Sequence, residues 1–101
     1  MSQSVIHQPR VVWDGARAFV RAANGPGYEP FAGQVLKRLG SELYGELANT
    51  RQRLQVASIE SSDDDRFTTD IEASRWRVRL DELLRNRPDL IPAVQELTRT
   101  V

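Results

Sequence analysis

Apolar side chains recur at steps of three and four residues in several segments of this chain. On one face of the first segment lie Val12, Ala16, Phe19, Val20 and Ala23. This spacing predicts an amphipathic helix, because about 3.6 residues complete one helical turn. The helix should end at Asn24-Gly25-Pro26-Gly27, since glycine accepts positive φ and proline cannot continue a helix.

The second apolar segment is the longest one. Pro30 suits the first turn of a helix, where its missing N–H group is not needed. The stripe that follows consists of Phe31, Val35, Leu39, Leu43, Leu47, Thr50, Leu54 and Ala57. It predicts one long central helix that ends near Ile59. If this helix breaks, we expect the break at Gly40-Ser41, because glycine weakens a helix by up to ~1 kcal/mol and serine is a good N-cap.

A polar connector from Glu60 to Asp65 precedes the third apolar segment. The third helix should run to about Arg85 and carry Trp76, Leu80, Leu83 and Leu84 on its buried face. Asn86-Arg87-Pro88-Asp89 separates it from a last helix with Leu90, Val94, Leu97 and Val101. The alternation of Arg75 to Asp81 also fits a half-buried strand, but the leucines that extend the Trp76 face favour a helix. We expect Trp76 to be a core anchor.

These elements predict an all-α fold of about four helices. The chain has 101 residues, the size of one ordinary domain. Residues 1–10 are polar and are expected to form a flexible N-terminal arm. Residues 11–101 are expected to form a single helical domain.

The charge balance and the residue content narrow the function classes. Lys+Arg and Asp+Glu both number 14, so the formal net charge is zero, which argues against a strongly basic nucleic-acid-binding protein. The chain has no cysteine, which excludes disulfides and thiolate metal sites. No apolar run approaches the ~20 residues of a membrane span, and the first residues lack the pattern of a signal peptide. We therefore expect a cytoplasmic protein with no membrane partner.

Several arginines and leucines carry a resemblance to a known group of proteins. They lie in Leu47–Leu54 with Arg51 and Arg53, in Trp76–Leu80, and at Leu83-Leu84, Pro88 and Leu97, together with Trp13-Asp14 and Arg17. In these residues the chain resembles small Arg-rich helical proteins of actinomycetes, which are largely uncharacterised. The resemblance implies a helical fold and a bacterial source with a GC-rich genome. It implies no catalytic residue.

The chain shows no constellation typical of catalysis or of metal binding. His7 is the only histidine and lies in the polar arm, where no partner holds it in place. Asp63-Asp64-Asp65 with Asp70 lacks the glycine and glutamate that an EF-hand loop has at its sixth and twelfth positions. Gly25-Pro26-Gly27 lacks the spacing of a phosphate loop. We expect neither an enzyme nor a bound cofactor or metal.

Some apolar residues of the long helix lie beside its main stripe, and a chain of this size can cover only part of such a helix. These predicted interface residues are Leu36, Tyr44, Val56 and Ile59. They favour a non-enzymatic protein–protein interaction or self-assembly module, whose partner is another protein or a second copy of the chain, most simply in a homo-oligomer.

The alternative function is a DNA-binding regulator, with nucleic acid as a less favoured partner. It would use the densest basic cluster, namely Arg75, Arg77, Arg79, Arg85 and Arg87. Alternate residues of a helix fan out over roughly 200°, so these arginines do not form one stripe. Neighbouring acidic residues are also spaced to pair with them. An enzyme or an enzyme-inhibiting protein is a third, least favoured hypothesis.

Overall fold

Five α-helices make up the computed structural model of the chain, which describes residues 8–60 and 65–101. The helices are α1 (Gln8–Ala23), α2 (Tyr28–Leu39), α3 (Ser41–Glu60), α4 (Asp65–Asn86) and α5 (Ile91–Arg99), with a 3-10 turn at Pro88–Leu90 between α4 and α5. The described residues contain no strand, so the predicted all-α class is confirmed. Arg75 to Asp81 lie inside α4, and the strand alternative for this segment is wrong.

The prediction of one long central helix is wrong in two respects. First, the helix is divided into α2 and α3 at Gly40, whose φ of 105° is open to glycine and strained for other residues. The N–H of Gly40 closes α2 by donating to the carbonyls of Val35 and Leu36, each at 3.2 Å. Second, the helix at the centre of the fold is α1, which contacts each of the other four helices. The fold therefore has five helices rather than about four.

The central position of α1 depends on its small residues. Ala16 is fully buried, and Gly15 faces α4 and α5. A Cβ atom added at Gly15 would lie 3.0 Å from Val94 Cγ1 and 3.2 Å from Leu80 Cδ1. A larger residue would fit here only if these side chains gave way by a few tenths of an ångström, so the backbone of α1 packs closely against its neighbours.

Trp76 is the core anchor that the sequence predicts. It is 1% exposed, and its ring centroid lies 4.9 Å from that of Phe19 on α1. Phe19 in turn packs edge-to-face against Phe31 of α2, with 5.1 Å between the centroids. These three aromatic rings connect α4, α1 and α2 through one continuous core.

Three side-chain contacts show that α3 and α4 run antiparallel. Arg53 pairs with Glu72 at 2.8 Å, and the Trp76 indole lies 2.8 Å from the hydroxyl of Thr50. Nearer the start of α3, Glu46 pairs with Arg79 at 3.2 Å. The step of seven residues from Glu46 to Arg53 on α3 is matched by a step of seven from Arg79 back to Glu72 on α4, and the pair of Thr50 and Trp76 fits this register to within one residue. In the same register, Ile59 lies level with Phe67.

The predicted arm and connector fall partly outside the described residues. Helix α1 begins at Gln8, three residues before the predicted start of the domain. The first seven residues, including His7, lie outside the described part of the chain, as do residues 61–64 with Asp63 and Asp64. No helix in the described ranges is long and apolar enough to cross a membrane. The same ranges hold no group of three or more His, Asp or Glu side chains placed to bind a metal ion.

Candidate interaction surfaces

The joined ends of α3 and α4 extend beyond the core. Among the side chains that the structure describes, Leu54 is the last buried residue of α3 and Glu72 is the first buried residue of α4. Among residues 55–59 and 67–71, whose side chains the structure describes, none is buried. We call residues 55–60 and 65–71 the hairpin tip. The molecule is correspondingly elongated, at 51 × 25 × 21 Å.

The hairpin tip carries large apolar side chains on both of its helices. On α3, Val56 is 45% exposed and Ile59 is 85% exposed. On α4, Phe67 is 66% exposed and Ile71 is 38% exposed. Because Ile59 and Phe67 lie level in the antiparallel register, the two helices present these side chains at the same end of the molecule.

The four interface residues predicted from the sequence do not form one surface. Leu36 and Tyr44 are both exposed, and each lies four residues from Gly40, at the corner between α2 and α3. Along α3, Tyr44 is about 22 Å from Ile59, given a rise of about 1.5 Å per residue. Val56 and Ile59 therefore belong to the hairpin tip, whereas Leu36 and Tyr44 form a separate corner.

The sequence interpretation missed the outer face of α4. At about 100° per residue, Phe67, Ile71 and Val78 all lie roughly opposite Trp76 on the helix. Val78 is exposed like the other two. This second stripe follows the spacing of four and seven residues, which was the available signal. It was missed because the Trp76 stripe alone is sufficient to predict a buried helix.

Most of the arginines in the predicted nucleic-acid cluster pair with carboxylates. Arg75 is 4.0 Å from Glu72, Arg79 pairs with Glu46, and Arg85 pairs with Asp81 one turn away. Arg87 binds both carboxylate oxygens of Asp89, at 3.0 and 2.9 Å.

The Arg87–Asp89 pair also shifts the pKa values of both residues. The hydrogen bond from Arg87 lowers the pKa of the Asp89 carboxyl, and the same bond raises the pKa of the Arg87 guanidinium. With four of the five arginines in such pairs, these side chains do not form a continuous free basic face.

Arg77, the fifth arginine, contacts Trp13, which lines a groove between α1 and α4. Its guanidinium carbon lies 5.2 Å from the centre of the Trp13 ring, and that of Arg17 lies 5.4 Å from the same centre. Trp13 is 38% exposed, so it is a surface residue rather than part of the core. We call this feature the Trp13 groove. It has a volume of about 720 Å³, and its lining includes the buried residues Val20 and Ala73 and the exposed Arg21.

Glu72 is the one charged residue that is buried among those the structure describes. Its carboxylate accepts two hydrogen bonds from Arg53, at 2.8 and 2.9 Å. The hydrogen bond to Glu72 raises the pKa of the Arg53 guanidinium. A carboxylate held in this way joins α3 to α4, and its oxygens are engaged by the protein itself.

Comparison with known proteins gives no significant match to a family model, a curated protein or a solved structure. The exposed surfaces of the chain are therefore the best guide to its function. Two of them stand out by their chemistry: the apolar hairpin tip and the cationic Trp13 groove.

Proposed function

We propose that this chain is a non-enzymatic self-assembly module and that the hairpin tip is its interface. The observation that carries this proposal is the exposure of Val56, Ile59, Phe67 and Ile71 at one end of the molecule. Large apolar side chains gathered at one place mark interaction sites more often than scattered ones do. Complete burial of a fully exposed side chain of this kind contributes about 1.5–3 kcal/mol, and each of these residues would contribute the part that corresponds to its exposed fraction.

A second copy of the chain is the partner that this surface suits best. The hairpin tip has exposed apolar residues on both of its antiparallel helices. The tip of a second copy carries the same residues, so the two tips can bury each other. A two-fold axis through the tip would bring four helices together, and each copy would contribute the same residues. The zero net charge of the chain leaves no long-range repulsion between copies.

The test uses two tip variants and one matched control. Ile59→Glu and Phe67→Glu place a charge on side chains that are already exposed, so folding should be retained. Leu36→Glu makes the same change at the separate α2–α3 corner. Light scattering and sedimentation would be measured from about 1 μM to 1 mM, a range that covers weak to moderate affinities. Circular dichroism would check the fold of each variant.

We expect wild type and Leu36→Glu to dimerise and both tip variants to remain monomeric with unchanged helix content. A wild-type protein that stays monomeric over the whole range would overturn self-assembly. Loss of the dimer in Leu36→Glu alone would move the interface to the α2–α3 corner and would overturn the assignment to the tip.

A further inference from the structure

We propose that the Trp13 groove binds a nucleotide, with the phosphates on the arginines of α1 and the base beside Trp13. This site uses side chains other than the apolar ones of the proposed dimer interface, although Thr69 and Asp70 of its lining lie within the hairpin tip. It lies on the side of α4 that faces α1, whereas the apolar side chains of the tip include the outer face of α4. Either proposal can therefore fail while the other holds.

The arginines in and beside the Trp13 groove carry positive charge that no ion pair balances. Within the described residues, no carboxylate lies within 4.0 Å of Arg17, Arg21 or Arg77, although seven ion pairs are formed elsewhere. Arg17 and Arg21 are exposed and one turn apart on α1. Guanidinium groups without a carboxylate partner are suited to phosphate, because their N–H groups match its oxygens in pairs.

The aromatic ring of Trp13 lies beside these charges. Trp13 has the guanidinium carbons of Arg17 and Arg77 within 5.4 Å of its ring centre, and the residue remains 38% exposed. Indole and guanidinium planes both stack on nucleobases, so the three side chains form a platform for a planar group. A carboxylate ligand such as an acidic peptide would make no use of this platform.

The size and the composition of the groove suit a small ligand with a planar group. Its volume of about 720 Å³ falls in the usual range for small-ligand sites. Val20 and Ala73 supply apolar surface, and Asn24, Asp70 and Ser74 supply polar groups that can hydrogen-bond a base or a ribose. Asp70 can accept hydrogen bonds from the amino group of a base or the hydroxyls of a ribose, and since it repels phosphate, the phosphates are placed on the arginines.

The proposed ligand chemistry has two sources, a free nucleotide or a single-stranded nucleic acid. The probes are therefore ATP, a twelve-residue oligouridylate, and polyglutamate as an anion that has no base. Binding would be followed by tryptophan fluorescence at low salt. Trp76 is buried, so a change on binding should come from Trp13, and Trp13→Phe should remove it.

The variant is Arg17→Gln combined with Arg21→Gln. Its matched control is Arg38→Gln combined with Arg99→Gln, which removes two exposed arginines from α2 and α5. We expect the groove variant to lose at least about tenfold in affinity for ATP or the oligonucleotide, and the control to change less than about twofold.

Binding of ATP as tight as that of the oligonucleotide supports a free nucleotide as the ligand. Tighter binding of the oligonucleotide supports a single strand. The proposal is overturned if neither probe binds at about 1 mM, which corresponds to very weak affinity. It is also overturned if polyglutamate binds equally well, or if the groove and control variants lose equal affinity.

Discussion

The indole nitrogen of Trp76 donates a 2.8 Å hydrogen bond to the hydroxyl oxygen of Thr50. Both residues are 1% exposed, and they are held on different helices, α4 and α3. The same hydroxyl donates to the backbone carbonyl of Glu46 at 3.0 Å. Thr50 on α3 thus accepts a hydrogen bond from the only polar group in the Trp76 side chain. This bond holds α3 and α4 in a fixed register.

Thr50→Val should destabilise the protein by about 1–3 kcal/mol, because valine keeps the shape of threonine but leaves the buried indole N–H without an acceptor. Chemical denaturation would measure this change in the free energy of unfolding. The same substitution in a Trp76→Phe background should have a clearly smaller effect, since the unsatisfied N–H group is no longer there. Equal effects in both backgrounds would contradict the role assigned to this hydrogen bond.

The ion pair between Arg53 and Glu72 should contribute more to stability than the exposed ion pairs do. Glu72 has a side chain only 3% exposed, whereas that of Arg53 is 39% exposed. Arg53→Met removes both hydrogen bonds to this buried carboxylate and leaves it with the more distant Arg75, at 4.0 Å. We expect it to cost about 2–3 kcal/mol, less than the ~3–5 kcal/mol of fully buried pairs, because water can reach the position that the guanidinium leaves.

Arg85→Met is the matched control for that change. Arg85 pairs with Asp81 along one exposed face of α4, with a side chain 73% exposed. We expect a loss of no more than about 0.5 kcal/mol, measured by the same denaturation experiment. If both variants lost the same amount, burial of Glu72 would not be what distinguishes the two pairs.

The sequence is sufficient to predict the main buried stripes. Trp76, Leu80 and Leu84 on α4 and Val94 and Leu97 on α5 are buried as their spacing predicts, whereas Leu83 and Leu90 are only partly buried. The placement of Val101 on the last helix is wrong, since it lies beyond the end of α5 and is 39% exposed. The possible break at Gly40 was also visible, because a glycine followed by a good N-cap residue interrupts an otherwise continuous helix. These features are local, so a single segment carries all the information.

Features that depend on contacts between distant segments could not be predicted. Arg77 is far from Trp13 in the sequence, and only the packing of α4 on α1 brings the two side chains together. The exposure of Phe67 also depends on tertiary structure, because periodicity identifies an apolar face without showing whether another helix covers it. The central position of α1 follows from the close approach at Gly15, which the sequence alone does not distinguish from other glycines.

Gly15→Ala should destabilise the protein by roughly 1 kcal/mol, although alanine is the better helix former. The new methyl group would lie 3.0 Å from Val94 Cγ1 and 3.2 Å from Leu80 Cδ1, both in fully buried side chains that have little room to move. Gly45→Ala on α3 is the control, since nothing lies within 4 Å of the added atom. It should stabilise the protein by about 0.5–1 kcal/mol. Thermal denaturation of both variants would show opposite shifts; a stabilised Gly15→Ala would contradict close packing of α1.

Tyr28 should make the protein less stable in alkaline solution. The residue is buried at the start of α2, and Arg51 lies 4.6 Å from its ring centre while donating hydrogen bonds to the carbonyls of Ala23 and Gly25. Burial is the main cause that raises the pKa of the Tyr28 hydroxyl above 10.0, with smaller contributions from Tyr44 and Glu29, while Arg51 acts in the opposite direction.

A raised pKa in the folded state means that the unfolded chain loses the Tyr28 proton first. The contribution of Tyr28 to stability is therefore complete below the unfolded pKa of about 10 and is lost as the pH rises through the folded value. Urea denaturation at a series of pH values from about 8 to 11 would measure this loss. Tyr28→Phe cannot ionise, so its stability should fall less steeply above pH 10 than that of wild type. Tyr44→Phe is the control and should keep a steep alkaline fall, because Tyr28 is still present. Parallel curves for Tyr28→Phe and wild type would show that the Tyr28 hydroxyl ionises equally readily in the folded and unfolded chains.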